Sequence, residues 1–365
     1  MTNASFVPAP HYTFVTRLLI DLYEAGDLPN VRTIDIEPTF GYVGRLEYHD
    51  GSVRMFRATN TGVNTNGATE ISKDKAYTKY FLQKLGYQTT PGKAFEMPHY
   101  HDLIKRNLSR YGFSNYSHVN QIESYIESIG GYPCFIKPNE ESQGKGVYKC
   151  YDQSDLHDAL EEYHQEHHRV ILVEKVIPYV DYRVLIYDDA LIACYRRHPL
   201  MIVSDGASSI RLMAEEKQHE LKAQGRTVII KLEDPRISRK LMRDYGFTLD
   251  SIPSAGQQIE LYDVSNLSTG GWAEDFTDRI HPHWVRLAAT ITQQMGLRMC
   301  GLDLACADIT DPNADYSIIE TNAAPGLDNY AAMGTQQEAV VRDLYRRIFN
   351  EPMHFGQRES AGQRR

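Results

Sequence analysis

The chain has 365 residues, enough to bury a large core and to divide into two or three domains. Apolar residues make up 42% and charged residues 24%, an ordinary balance for a globular protein. The net charge of −9 disfavours a nucleic-acid or membrane-surface role, and no apolar run nears the about 20 residues of a membrane span. The N-terminal stretch MTNASFVPAPHYTF lacks the charge-then-apolar order of a secretory signal. Cys134, Cys150, Cys194, Cys300 and Cys306 stand mostly in apolar segments with no C-x-x-C pair. They read as buried thiols in a reducing, cytoplasmic setting rather than as disulfides or a zinc site.

Phe14 to Tyr23 has helical apolar spacing. Arg45–Tyr48 and Val53–Phe56 flank Asp50-Gly51, a hairpin signal. Asn60 to Gly67 (NTGVNTNG) is turn-rich and reads as a linker. Ser72 is expected to cap a helix, KDKAYTKYFLQKLG, that stops at Gly86. Lys73, Lys75 and Lys79 lie near its start. They either reach a nucleotide phosphate or form a solvated helix face, and the segment alone leaves both open.

Residues 99–130 read as polar helices and loops. Cys134–Ile136 then forms a strand, with Lys137 at its end before Pro138. Gln143-Gly144-Lys145-Gly146-Val147 makes a glycine loop ahead of the strand VYKC. Glycines let backbone N–H groups approach phosphate oxygens, and Lys145 adds charge. An ordinary hairpin with two glycines has the same pattern. Ser154–His168 is an amphipathic helix whose His164, His167 and His168 read as helix-end decoration, with metal binding as the alternative.

Val170–Glu174 is a buried strand, with Glu174, Lys175 and Ile177 at its end. A strand edge there can bind an adenine rim, and Asp181 can hold ribose hydroxyls. DYRVLIYDDALIACYRRHP reads as a hairpin turning at Asp188-Asp189, which gathers Arg183, Arg196 and Arg197. Such a cluster suits phosphate or carboxylate recognition; surface arginines are the alternative. Val203–Met213 is a turn leading into a helix, QQIELYDV a strand, and Asn266–Gly271 a loop whose N–H groups suit an anion. His281–Met295 is a further helix, and Gln336–Phe349 closes the fold before a frayed polar tail at 351–365.

Two strands carry the decisive residues. Asp303 lies in GLDLA; Glu320 and Asn322 lie in IIETNAAPG, two apart and therefore on one side of a strand. If the two strands are antiparallel neighbours, Asp303, Glu320 and Asn322 converge. Hard oxygen ligands of this kind suit Mg²⁺, which takes its remaining ligands from water and nucleotide phosphates. Polar residues at strand ends would give the same tripeptide.

Taken in order, ISKDKAYTKYFL, YPCFIKPNEESQGKGV, ILVEKVIP followed by DYRVLI, YRRHP with VSDGASSI, LDSIPSAG, NLSTGG with DFTD and IHP, and GLDLACADI with IIETNAAPG resemble the ATP-grasp superfamily of carboxylate–amine ligases. The resemblance covers about residues 70–330 and is greatest to the ATP-grasp module of cyanophycin synthetase and of bifunctional glutathione synthetase. It implies an α+β fold in which two subdomains clasp ATP, after a short N-terminal segment. The expected division is 1–70, a central and lid subdomain at 71–178, a Mg²⁺ and substrate subdomain at 179–350, and a tail at 351–365. It implies that Lys75 and Lys137 hold ATP phosphates and that a loop with Gln143, Gly144, Lys145 and Gly146 closes over them. Glu174, Lys175 and Ile177 would frame adenine and Asp181 the ribose. Asp303, Glu320 and Asn322 would bind two Mg²⁺, and Arg183 and Arg197 would stabilise the transferred phosphoryl group; the strand's register leaves Arg196 as the alternative to Arg197.

The implied reaction joins a carboxylate, activated as an acyl phosphate, to an amine of an amino acid or short peptide. Homodimers are frequent in the family. The chain carries neither the second ligase module of cyanophycin synthetase nor the glutamate–cysteine ligase half of the bifunctional enzymes, so a ligase making one amide bond is expected. The D-alanine–D-alanine ligase pattern has an arginine two residues before the metal aspartate, where Gly301 stands here. Modification of a peptide or protein end, and a non-catalytic ATP-binding module, are the other readings.

Overall fold

A five-stranded antiparallel sheet forms the centre of the computed structural model, which describes residues 12–100, 117–141, 144–223, 226 and 228–352. Fourteen strands and ten α-helices of the described residues follow in chain order. The N-terminal layer is α1 (Phe14–Glu24), β1 (Val31–Ile36), β2 (Val43–Tyr48) and β3 (Val53–Arg57); α2 (Asn66–Lys73) and α3 (Lys75–Lys84) come next. A second unit contains β4 (Gly92–Glu96), α4 (Ile122–Ser128), β5 (Cys134–Pro138), β6 (Tyr148–Cys150), α5 (Gln153–Gln165) and β7 (Val170–Lys175). The central sheet begins with β8 (Val180–Tyr187) and β9 (Ala190–His198). An excursion holds β10 (Met201–Val203), α6 (Ile210–Ala223), α7 (Pro235–Tyr245) and β11 (Gln258–Glu260). Then come β12 (Trp272–Asp275), α8 (Pro282–Gln294), β13 (Met299–Cys306), β14 (Tyr316–Asn322), α9 (Asp328–Ala331) and α10 (Thr335–Asn350).

The central sheet runs β12-β9-β8-β13-β14. Its middle strand β13, MCGLDLAC, is buried along its whole length, because both faces are covered. On one face, Val184, Ile186, Leu302 and Leu304 pack against Trp284, Ala288 and Ile291 of α8. On the other, Leu185, Tyr187 and Met299 share a core with Leu46, Tyr48 and Phe56 of the N-terminal layer and Phe349 of α10. Arg183 and Asp303 have the same parity as Leu185 and Met299, so they project from this second face, just past the part the N-terminal layer covers. The fold therefore leaves its polar site where that cover ends.

Asn64 fixes the connection after the N-terminal layer. Its Nδ2 donates to the carbonyls of Met299 and Ala323, each at 2.8 Å, and its Oδ1 accepts from the N–H groups of Arg298 and Met299. The stretch that reads as a linker is thus fastened to β13 and to the segment after β14.

The second unit is a four-stranded sheet ordered β4-β7-β5-β6. Helix α7 reaches across to it with a row of arginines. The Arg236 guanidinium stacks on Tyr148 at 3.4 Å, Arg243 stacks on Tyr151 at 3.2 Å, and Arg239 pairs with Asp155 and Asp158.

Most sequence expectations for elements hold, including the Asp188-Asp189 turn, whose φ angles are 46° and 64°. The cap before α3 differs. α2 already occupies residues 66–73, and Asp74 rather than Ser72 caps α3, its carboxylate accepting from the Tyr77 N–H at 2.8 Å. All five cysteines are buried free thiols. Among the described residues no helix is long and apolar enough to cross a membrane, and no group of three or more His, Cys, Asp or Glu side chains is placed to hold a metal ion. His164 and His167 instead pack edge-on against His99.

Candidate active site

One row of side chains crosses four strands of the central sheet. Tyr195 on β9 is opposite Arg183 on β8, Arg183 is opposite Asp303 on β13, and Asp303 is opposite Glu320 on β14. The strands that carry Asp303 and Glu320 are antiparallel neighbours, as the convergence requires. Asn322 lies on the same strand as Glu320, with its Oδ1 accepting from the Ala324 N–H at 3.0 Å.

Asp303 is only 2% exposed and is surrounded by guanidinium groups. Arg183 donates to both of its oxygens, and Arg197 approaches Oδ2 at 2.8 Å. Burial pushes the Asp303 carboxyl up, but Arg183 and Arg197 together outweigh it and leave it lowered to about 2. Arg197 also donates to Asp181 at 2.8 Å. Pairing of β9 with β12 sets the register that the sequence leaves open: Arg197 lies opposite Ala273 and turns to Asp181 and Asp303, while Arg196 lies opposite Glu274 on the other face.

Gly301 has a steric role here. A Cβ at this position would come within 3.0 Å of Arg183 Nη1 and 3.1 Å of Pro325. The space a side chain at 301 would take is filled by the arginine of the neighbouring strand.

Glu320 faces Lys75, with Oε2 at 3.7 Å from Nζ. Lys75 Nζ also donates to the Glu141 carbonyl. Burial holds the Glu320 carboxyl above its ordinary value, with Lys75 opposing the rise and Asp303 adding to it. A buried triad lies behind: Glu174 is bridged by Lys79 at 2.7 Å and Lys137 at 2.5 Å. Burial raises the Glu174 carboxyl, yet Lys137 and Lys79 pull it below its usual value. Burial depresses Lys137, but three carboxylates, led by Glu174, hold it above normal. Lys79, with Glu174 alone and Lys137 repelling it, is pushed down by burial. Sequence reasoning missed Lys79 as a buried partner, since its acid arrives from a distant strand; its spacing of four from Lys75 was the available signal.

A cavity of about 550 Å³ collects these groups. Of the residues expected from sequence, Lys75, Gly144, Arg183, Arg197, Glu320 and Asn322 line it. Asp303 and Asp181 sit directly behind the two arginines. Lys145 is exposed, 4.0 Å from Glu141, and does not line the cavity. Gly146 packs on Pro138 and Tyr163. Gln143 lies outside the described residues. The free strand edge expected at Glu174 is absent: β7 pairs with both β4 and β5 through this residue, and the Lys175 N–H donates to the Pro91 carbonyl at 2.9 Å. An unpaired edge begins only after Lys175, toward the half-buried Ile177. The Asn266–Gly271 loop also departs from expectation. The N–H groups of Ser268, Thr269, Gly270 and Gly271 are spent inside the loop, so they are not open to an anion. Asn266 instead abuts Gly144, whose φ is 69°.

The donor set fits the groups that the fold implies. Two carboxylates and an amide oxygen are hard donors suited to Mg²⁺. Lys75, Lys137, Arg183 and Arg197 supply the positive charge a polyphosphate needs.

Comparison with known proteins agrees. Residues 108–204 match the family model described as D-ala D-ala ligase C-terminus. A cyanophycin synthetase of Trichormus variabilis is 36% identical over 218 residues, covering 59% of this chain and 24% of that protein. The glutathione biosynthesis bifunctional protein of Mannheimia succiniciproducens is 31% identical over 239 residues, covering 61% of this chain and 31% of that protein. The chain thus spans about a quarter to a third of the length of these curated relatives. The crystal structure of a bifunctional glutathione synthetase from Pasteurella multocida superposes with a TM-score of 0.54 at 23% identity, covering 92% of this chain and 44% of that one. The chain has the ATP-grasp fold, and its sequence is similar to part of these ligases.

Proposed function

We propose that this protein is an ATP-dependent carboxylate–amine ligase, joining amino acids or short peptides through an amide bond with release of ADP and phosphate. The observation that carries this reading is one cavity lined by Lys75, Arg183, Arg197 and Glu320, with Asp303 buried directly behind the two arginines. Transfer of a phosphoryl group to a carboxylate brings two anions together, and fixed cations offset that repulsion. Lys75 and Lys137 hold the phosphates. Arg183 and Arg197, on rigid strands, bind the transferred group and the acyl phosphate. Asp303, Glu320 and Asn322 hold Mg²⁺, expected as two ions, which neutralises phosphate charge when bound. The unpaired edge after Lys175, toward Ile177, and Asp181 serve the nucleoside, and the hairpin with Gly144 and Lys145 excludes water from the acyl phosphate.

In this reading residues 71–178 are the central and lid subdomain and 179–350 the catalytic one. The five buried thiols agree with a cytoplasmic setting. ADP and phosphate release with Mg-ATP, measured across amino acids and short peptides singly and in pairs, tests the activity. Release that needs one particular pair, with a matching amide by mass, supports it. Clear ATP binding with no release from any pair counts against it.

A further inference from the structure

Among the described residues five cationic side chains line the cavity: Arg57, Lys73, Lys75, Arg183 and Arg197. Four have carboxylate partners. Lys73 pairs with Glu70 at 2.6 Å, Lys75 faces Glu320, and Arg183 and Arg197 are committed to Asp303. Among the described residues Arg57 has no acidic side chain within ion-pair distance. It also comes from a different layer, the end of β3, and is exposed.

The turn that presents Arg57 is held firmly. Arg57 and Asn60 exchange backbone hydrogen bonds at 2.9 Å, and the Ala58 N–H donates to the Tyr42 carbonyl at 2.7 Å. Ala58 has φ 49°, a left-handed conformation that a residue with a Cβ adopts only under constraint. Beneath the turn, Arg54 is 1% exposed and donates to the Thr61 carbonyl at 3.0 Å, the Tyr48 hydroxyl at 2.9 Å and the Glu351 carbonyl at 2.8 Å. A buried arginine therefore braces a strained turn whose exposed arginine has no acidic partner among the described residues and lines the cavity. Tyr42 lines the cavity beside it.

We propose that Arg57 determines specificity by binding the unreacted carboxylate of the amine substrate, a free amino acid or peptide C-terminus. This inference rests on the ligase reading above. An amino acid that offers its amine to the acyl carbon brings its own carboxylate into the cavity. That second anion needs a cation other than those engaged with Asp303 and Glu320. A guanidinium on a rigid turn meets a carboxylate with two parallel N–H donors, which selects the acid over its neutral amide.

The test compares wild type, Arg57→Ala and Arg57→Lys. ATP binding is measured by calorimetry, and ADP release is measured with amino acids and dipeptides as amine donors, each as free acid and as C-terminal amide. The wild type is expected to favour free acids by about ten- to a hundred-fold in kcat/KM. Arg57→Ala should lose that preference through KM while binding ATP normally, and Arg57→Lys should recover part of it. An Arg57→Ala enzyme that binds ATP and keeps the wild-type acid-to-amide ratio overturns the role of Arg57 and leaves the ligase reading standing. A wild type that binds ATP but releases no ADP with any donor overturns both.

Discussion

Asp303 is clasped by Arg183 through both carboxylate oxygens, and the two residues stand directly opposite each other on neighbouring strands. The arrangement keeps a buried acid ionised. It also makes the two arginines dependent on that acid. Asp303→Ala should destabilise the protein by about 3–5 kcal/mol, because Arg183 and Arg197 would keep their burial and lose their common partner. Denaturant unfolding measures this; a loss under about 1 kcal/mol would show that the arginines find water or Asp181 instead.

Glu320 differs, since among the described residues Lys75 is its ion-pair partner and lies 3.7 Å away. Glu320→Ala should leave the melting temperature nearly unchanged and reduce Mg²⁺-dependent ADP release by at least about 100-fold. Undiminished turnover in this variant would remove Glu320 from the proposed metal site.

The Lys79–Glu174–Lys137 triad sets a pH dependence. The Glu174 carboxyl is lower in the folded protein than its ordinary value near 4.5, so its contribution to stability is full above that pH and fades as pH falls below it. Glu174→Gln should therefore cost about 3–5 kcal/mol at neutral pH, with a gap from wild type that narrows below pH 4.5. A gap that stays constant down to pH 3 would contradict the ion-pair account.

Gly144 joins a left-handed backbone to close contact with Asn266, so Gly144→Ala faces both strain and collision. We expect slower turnover with little change in overall stability, since Gly144 lies at the half-buried tip of the hairpin and meets the Asn266 side chain. The same hairpin should resist protease better once ATP and Mg²⁺ are added. Equal cleavage with and without nucleotide would argue against its closing over the phosphates.

The sequence exposed the strands of the candidate site because their signals are local. GLDLA and IIETN are apolar runs interrupted at fixed spacing, and their pairing brings Asp303 opposite Glu320. Choosing Arg197 over Arg196 needed the register with β12, which depends on strand pairing rather than on neighbouring residues. Ser72 and Asp74 are both capping residues, and only the packing of α2 decides between them. Lys79 resembles a solvated lysine until β7 delivers Glu174 to it. Arg57 sits beside a turn that reads as a linker, and its place at the cavity follows from the N-terminal layer packing on the central sheet.

That packing has a consequence for biosynthesis. Tyr48 donates to the Phe349 carbonyl, Arg54 to the Glu351 carbonyl, and Asn30 to the Asn350 carbonyl. Strands β1 to β3 pair with one another, but their apolar face is completed only by α10, whose Phe349 stands 301 residues along the chain from Tyr48. Until then Leu46, Phe56 and their neighbours present an unfinished apolar face, and the nascent chain must be kept from aggregating through it. The turn that presents Arg57 is thus braced through a contact between residues 297 apart, of the kind that forms late in folding.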